Sequence, residues 1–158
     1  MITATSSLSQ NVQTGLPHIA VAHENTPFIS VYPWTGTFGT KISNPASLPA
    51  GRGEDVAFTP SGGHIAVAHA GDAASRISVY PWTGAFGTRV ANPATAPAGI
   101  CNGVAFTPSG GHIAVAHSTG SRISVYPWTG AFGTRVEDPA TLPAFNGMGV
   151  AFRGFSKL

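Results

Sequence analysis

The sequence predicts an all-β, turn-dense fold, and three observations carry that prediction. Twenty glycines and 13 prolines stand among 158 residues, a load of chain breakers that leaves little room for long helices. Short β-prone runs are separated by Pro, Gly, Ser and Thr about every ten residues. One block of sequence also recurs three times, which sets the architecture before any single motif does. The 42% hydrophobic content excludes a disordered polyelectrolyte, and a net charge of +2 is too small for a nucleic-acid footprint although the pI is 9.0. Cys101 is the only cysteine, so no disulfide forms within a chain and zinc sites built on cysteine pairs are ruled out. The first residues, MITATSSLSQNVQTG, lack a basic start and an apolar stretch, and no run reaches membrane-spanning length. The expectation is a soluble cytoplasmic protein with no membrane or nucleic-acid partner and no cofactor.

The string HIAVAH begins at His18, His64 and His112, spacings of 46 and 48 residues, and ISVYPWTG begins at Ile29, Ile77 and Ile123, spacings of 48 and 46. The extra residues lie after His69, where AGDAASR replaces ENTPF or STGSR, as a loop tolerant of insertion would allow. From each Trp (34, 82, 128) to the following Val (56, 104, 150) the distance is always 22 residues. In the third unit, Val-Ala-Phe at 104–106 reads as strand a and TPSGG as a tight turn with Pro fixing φ and Gly supplying positive φ. Strand b follows at 112–117, strand c at 122–128 and a shorter strand d at 133–136. Four antiparallel strands in 46 to 48 residues is the size of a β-propeller blade.

VAFTPSGGHIAVAH and ISVYPW resemble the successive strands of the WD-repeat type of β-propeller and its bacterial and phage-type relatives, over residues 18–153. The chain departs from that pattern in having YPW followed by Thr where a Trp-Asp pair is expected, and in lacking the Gly-His pair that would bond the aspartate. The resemblance implies an interaction scaffold more readily than an enzyme, without the structural hydrogen-bond network of the eukaryotic members.

The predicted domains are an extension at 1–17, repeats at 18–55, 56–103 and 104–148, a spare first strand at 149–153, and a tail at 154–158. Blade 1 therefore lacks its own strand a. On strand c, Ile123 and Val125 alternate with Ser124, Tyr126 and Trp128, and on strand b Ile113 and Val115 alternate with Ala114 and Ala116. This predicts blades with one aliphatic face and one small-plus-aromatic face, stacked head to tail. Three blades cannot close a ring, whereas a homodimer would supply six, within the known range of roughly 4 to 8. Ile19 and Val21 on blade 1, with Val150 and Phe152 of another chain's spare strand, form the expected interface; residues 1–17 supplying the strand in the same chain is the alternative.

All six histidines lie in the HIAVAH strings. His23, His69 and His117 occupy equivalent positions that could ring a channel as a metal or anion site, but hydrogen bonding to neighbouring loops is the expected role, and no metal site is predicted. No familiar nucleophile, zincin or phosphate-loop motif is present, so the sequence predicts no catalytic residues and a protein that is not an enzyme. The copies differ in the b–c loops and in the ends of the d–a loops (GRGED, GICNG, FNGMG), which an up-and-down blade places at one end. That rim, with Glu24, Arg52, Asp55, Asp72, Arg76, Arg122, Phe145 and Asn146, is the candidate partner surface. The ligand is an unspecified protein or glycan. Trp34, Trp82 and Trp128 are candidate sugar platforms for an alternative lectin reading, and a small hydrolase or lactonase is the further alternative.

Overall fold

The computed structural model describes residues 15–71, 74 and 76–154. These form eight strands in three antiparallel sheets, with no helix. Sheet 1 pairs β1 (His18–Ala22) with β2 (Ile29–Pro33). Sheet 2 runs β3 (Gly53–Phe58), β4 (His64–His69), β5 (Ile77–Pro81), and sheet 3 runs β6 (Cys101–Phe106), β7 (His112–His117), β8 (Ile123–Pro127). The TPSGG turns close as their residues dictate: Gly62 and Gly110 take φ of 71° and 75°, and the Thr59 hydroxyl accepts the His64 N–H at 3.0 Å.

The expected four strands per unit become three, and two in sheet 1. The fourth segment is held at only a few points: Phe86 bridges Trp82, and Gly87 N–H bonds Pro81 C=O and Val90 N–H bonds Val79 C=O, both at 2.8 Å. The Gly after Phe and the Asn-Pro that follows Val-Ala interrupt a continuous ladder. Sheet 1 has no described strand on the free edge of β1, and residues 1–14 lie outside the described residues.

The faces also differ from the expectation. Ile65 pairs with Tyr80, and Ile113 with Tyr126, so the large aliphatics of the middle strand share a face with Tyr and Trp. The other face carries the small alanines of the middle strand with Ile and Val of the next. Period-two alternation assigns residues to faces within a strand, but only register joins the faces of two strands.

Packing follows from this pairing. Ile29 and Val31 of sheet 1 lie in one buried cluster with Ile65, Val67, Tyr80 and Trp82 of sheet 2. Ala66, Ala68, Ile77 and Val79 of sheet 2 likewise meet Ile113, Val115, Tyr126 and Trp128 of sheet 3. Each junction thus sets a slim face of one sheet against the bulky face of the next. Beyond sheet 3, residues 149–153 form no ladder within the chain, although an ideal Cβ on Gly103 would meet Gly149 Cα at 2.7 Å.

Candidate functional site

The b–c and d–a loops do meet at one end. Ala70 N–H bonds Arg52 C=O and Ser118 N–H bonds Ile100 C=O, each at 3.0 Å, joining the two loop types within sheets 2 and 3. At the opposite end Trp82 N–H bonds Gly63 C=O and Trp128 N–H bonds Gly111 C=O, both at 2.8 Å. Antiparallel order dictates this separation of ends.

Of the candidate rim residues, Glu24, Arg52, Phe145 and Asn146 are exposed, while Arg76 and Arg122 are half-buried. Asp72 lies outside the described residues. Arg52 Nε donates to Glu54 Oε1 at 2.5 Å; this bond, and Glu54's charge, raise the Arg52 pKa above its usual value, with a smaller contribution from Glu24. Arg76 and Arg122 precede β5 and β8 at equivalent positions, and the Nε of each is buried without a hydrogen-bond partner. Their terminal nitrogens reach loop carbonyls, Arg76 Nη1 to Pro97 at 3.4 Å and Arg122 Nη1 to Gly120 at 3.0 Å.

Asp55 has another role. It lies in β3, where its Oδ1 accepts Val56 N–H at 2.8 Å and its Oδ2 accepts Val104 N–H at 2.9 Å, tying the first strands of sheets 2 and 3 together. Sequence reasoning placed it at the end of a d–a loop, on the candidate partner rim. Its equivalents are Gly103 and Gly149, so no repeated signal marked the bridge.

The histidine positions form three nodes. His23, His69 and His117 bring Nε2 within 3.0, 3.1 and 3.0 Å of Ser30, Ser78 and Ser124 Oγ. His69 Nδ1 accepts Gly71 N–H, so its Nε2–H donates to Ser78; His117 Nδ1–H donates to Thr119 C=O, so its Nε2 accepts the Ser124 hydroxyl. Arg135 Nε donates to Ser124 at 3.1 Å, and its Nη2 to Ser121 at 2.8 Å and to Asp138. His69 and His117 have no exposed surface, and Ser78 and Ser124 almost none, so a substrate carbonyl has no path to either hydroxyl. No group of three or more metal-type ligands occurs among the described residues.

Burial lowers the pKa of His117, and of His64, below the usual imidazole value. The unfolded chain, with imidazoles near 6.5, therefore binds more protons than the folded chain in mild acid. Their contribution to stability is complete above about pH 6.5 and is lost as pH falls through that value toward the lowered folded pKa. The thermal midpoint is expected to drop between pH 7.5 and pH 5, and His64→Gln should make that drop shallower; an equal drop in the variant would refute the assignment.

Trp82 and Trp128 are 7% and 5% exposed and meet Phe58 and Phe106 edge-on, so neither offers an open face. Trp34 is half-buried. A cleft of about 620 Å³ opens between sheets 1 and 2 beside Pro17, His18, Phe58, Ser61 and Trp82, at the turn end rather than the predicted rim.

No family model and no curated protein matches the chain. Among solved structures, a protein from Bacteroides fragilis provisionally assigned as a 6-phosphogluconolactonase superposes with a TM-score of 0.56 at 16% identity. The match covers 77% of this chain and 34% of that one, so the chain spans about a third of its length. The likeness is one of fold. It nevertheless corrects the expectation that the chain is not an enzyme, which leaned on the architecture and on missing motifs: an enzyme assignment stands on this same architecture. The structure also contains no helix long and apolar enough to cross a membrane among the described residues.

Proposed function

We propose that the chain is a propeller-type, WD-repeat-like binding scaffold that engages a protein partner through the b–c and d–a rim. The observation that carries this is the division of variation between the two ends. TPSGG and TG-Thr/Ala-FG scarcely change at one end, while ENTPF, AGDAASR and STGSR, with GRGED, GICNG and FNGMG, differ at the other. A uniform sheet stack with non-identical loops presents a distinct surface at each sheet on one side only. That side carries both signs of charge, with Arg52 paired to Glu54 beside Glu24, and exposed Phe145 gives it an apolar anchor of the kind that dominates interface energies. The buried rings of Trp82 and Trp128 favour a protein partner over a glycan.

Binding partners captured by the wild-type chain should be lost with Arg52→Ala/Phe145→Ala and kept with Ser61→Ala/Ser109→Ala at the opposite end. Equal retention by both pairs would overturn the placement. A second reading, lactone hydrolysis, rests on the Bacteroides fragilis structure alone. It is tested on the same variants with 6-phosphogluconolactone; turnover by wild type that survives the rim substitutions would move function off the rim and toward the cleft.

A further inference from the structure

The two ends of the sheet stack are the two halves of one junction. At each internal junction a slim face carrying Ile and Val (Ile29 and Val31, 1% and 0% exposed; Ile77 and Val79, 1% and 0%) is covered by the bulky face of the next sheet. On sheet 3 the equivalent Ile123 and Val125 are only half-buried. On sheet 1 the bulky face is the uncovered one. Val21 is 45% exposed where its equivalents Val67 and Val115 are 0%, and Trp34 is half-buried where Trp82 and Trp128 are buried.

The chain's last described segment has the matching disposition. Gly53 enters β3 with its N–H bonded to His23 C=O at 3.0 Å, and Gly147 makes the same bond to His117 C=O at 3.1 Å. A Cβ on Gly53 would strike Phe28 O and Ala22 Cβ, and one on Gly147 would strike Arg122 O and Ala116 Cβ. Residues 147–152 thus leave sheet 3 as β3 leaves sheet 1: as the first strand of a following sheet. No following sheet is present among the described residues.

We infer that a second copy of this chain supplies it, by seating β1 on residues 147–152 of its partner. The internal ladders fix the register. Val56 pairs with Val67 and Val104 with Val115; Phe58 pairs with Ile65 and Phe106 with Ile113. The intermolecular pairs are then Val150 with Val21 and Phe152 with Ile19. Two further contacts follow from equivalence. His18 meets Trp82 at 5.1 Å and His64 meets Trp128 at 5.3 Å, each a histidine of one sheet against the Trp of the next. Exposed His112 is the next histidine in that series, and Trp34 the next Trp. Phe58 and Phe106 also pack on Trp82 and Trp128, so Phe152 falls on Trp34.

The rim at this junction is composite. Gly51 and Gly99 lie so close to their own sheets' b–c loops that a Cβ would approach Gly71 Cα to 2.9 Å and Thr119 N to 2.6 Å. The equivalent residue before the exchanged strand is Phe145, 84% exposed in one chain. It is set against the ENTPF loop, whose bend, with Phe28 at φ 69°, differs in sequence from the other two. One copy's Glu24 and the other's Phe145 and Asn146 therefore share one surface, which deepens the rim reading above by making that surface incomplete in a single chain. Head-to-tail contacts close into a ring when the rotation permits, and two copies give six sheets.

Mixing Val21→Cys chains with Val150→Cys chains under mild oxidation should give a disulfide-linked dimer, because a cross-strand pair of this type brings Cβ atoms close enough to bridge. Neither variant alone should link, and Val21→Cys mixed with Ala151→Cys should not link because Ala151 points to the opposite face. By light scattering the wild type should weigh near twice 16.1 kDa, with or without residues 1–14. Val21→Asp should halve that mass while keeping its β circular dichroism, since Val21 is exposed in a single chain. A monomeric wild type, or a mass near three times 16.1 kDa, would overturn the two-copy ring. Retention of partner binding by Arg52→Ala/Phe145→Ala with the dimer intact would instead count against the rim reading alone.

Discussion

Replacing Trp128 by alanine is expected to cost about 3 to 5 kcal/mol, the range for removing a large aromatic from a packed core. For a chain of this size that lowers the thermal midpoint by about 6 to 20 °C. Trp128 is 5% exposed and sits where three rings converge edge-on: Phe106 of the first strand at 5.8 Å, Phe132 of the outer segment at 5.1 Å and His64 of the preceding sheet at 5.3 Å. Deleting the indole removes one of the contacts that hold the ragged fourth segment to its sheet and one that holds sheet 2 to sheet 3. Relaxation cannot refill the space without shifting a ladder. Thermal and denaturant unfolding measure the loss; a change below about 1 kcal/mol would mean that the ring cluster contributes little beyond a surface contact. Trp34→Ala is the internal comparison. Its cost should be smaller in an isolated chain, where the ring is half-buried, and should approach that of Trp128→Ala only if another copy covers it.

The same tryptophan shows how far the sequence could be read. Its constant spacing from Val-Ala-Phe, and the TPSGG turns between strands, give the all-β order of elements because turn chemistry is local: Thr59 caps its own turn, and Gly62 alone supplies the positive φ. The exchange of faces was not legible. Alternation places Ile113 and Tyr126 each on one side of a strand, but their pairing depends on a register fixed between strands. Nor was the fourth strand's weakness, since Phe132 through Val136 has strand-like composition and loses its ladder to the Gly and to the Asp-Pro beyond. At the rim, repetition both helped and misled. It located the variable loops, yet it hid Asp55, whose bridge to Val104 N–H is a single non-repeated event. The histidines were legible as structural groups, but their different proton positions depend on whether a loop offers an N–H, as at Gly71, or a carbonyl, as at Thr119.

That node is the second site of large effect. His117→Ala is expected to cost about 2 to 4 kcal/mol, because it removes buried volume and leaves the Ser124 hydroxyl and the Thr119 carbonyl without their partner. The imidazole is fully buried and sits between a carbonyl at 2.8 Å and a serine at 3.0 Å that Arg135 also engages. Ser124→Ala should cost less, since the freed His117 nitrogen is its main orphan, and the double variant should cost less than the sum of the two. In sheet 1 the same couple, His23 and Ser30, keeps its 3.0 Å contact but is only half-buried, because no described strand pairs with the free edge of β1. Gly53 and Cys101 are the residues that close over His69 and His117. In the two-copy ring Gly147 of the partner would do so for His23. The cost of His23→Ala should therefore rise with protein concentration, from a fraction of the His117→Ala value when dilute to a comparable value when the chain is associated, since a substitution at an interface is felt only by the associated state. A cost independent of concentration and smaller than that of His117→Ala would show that β1 keeps its open edge.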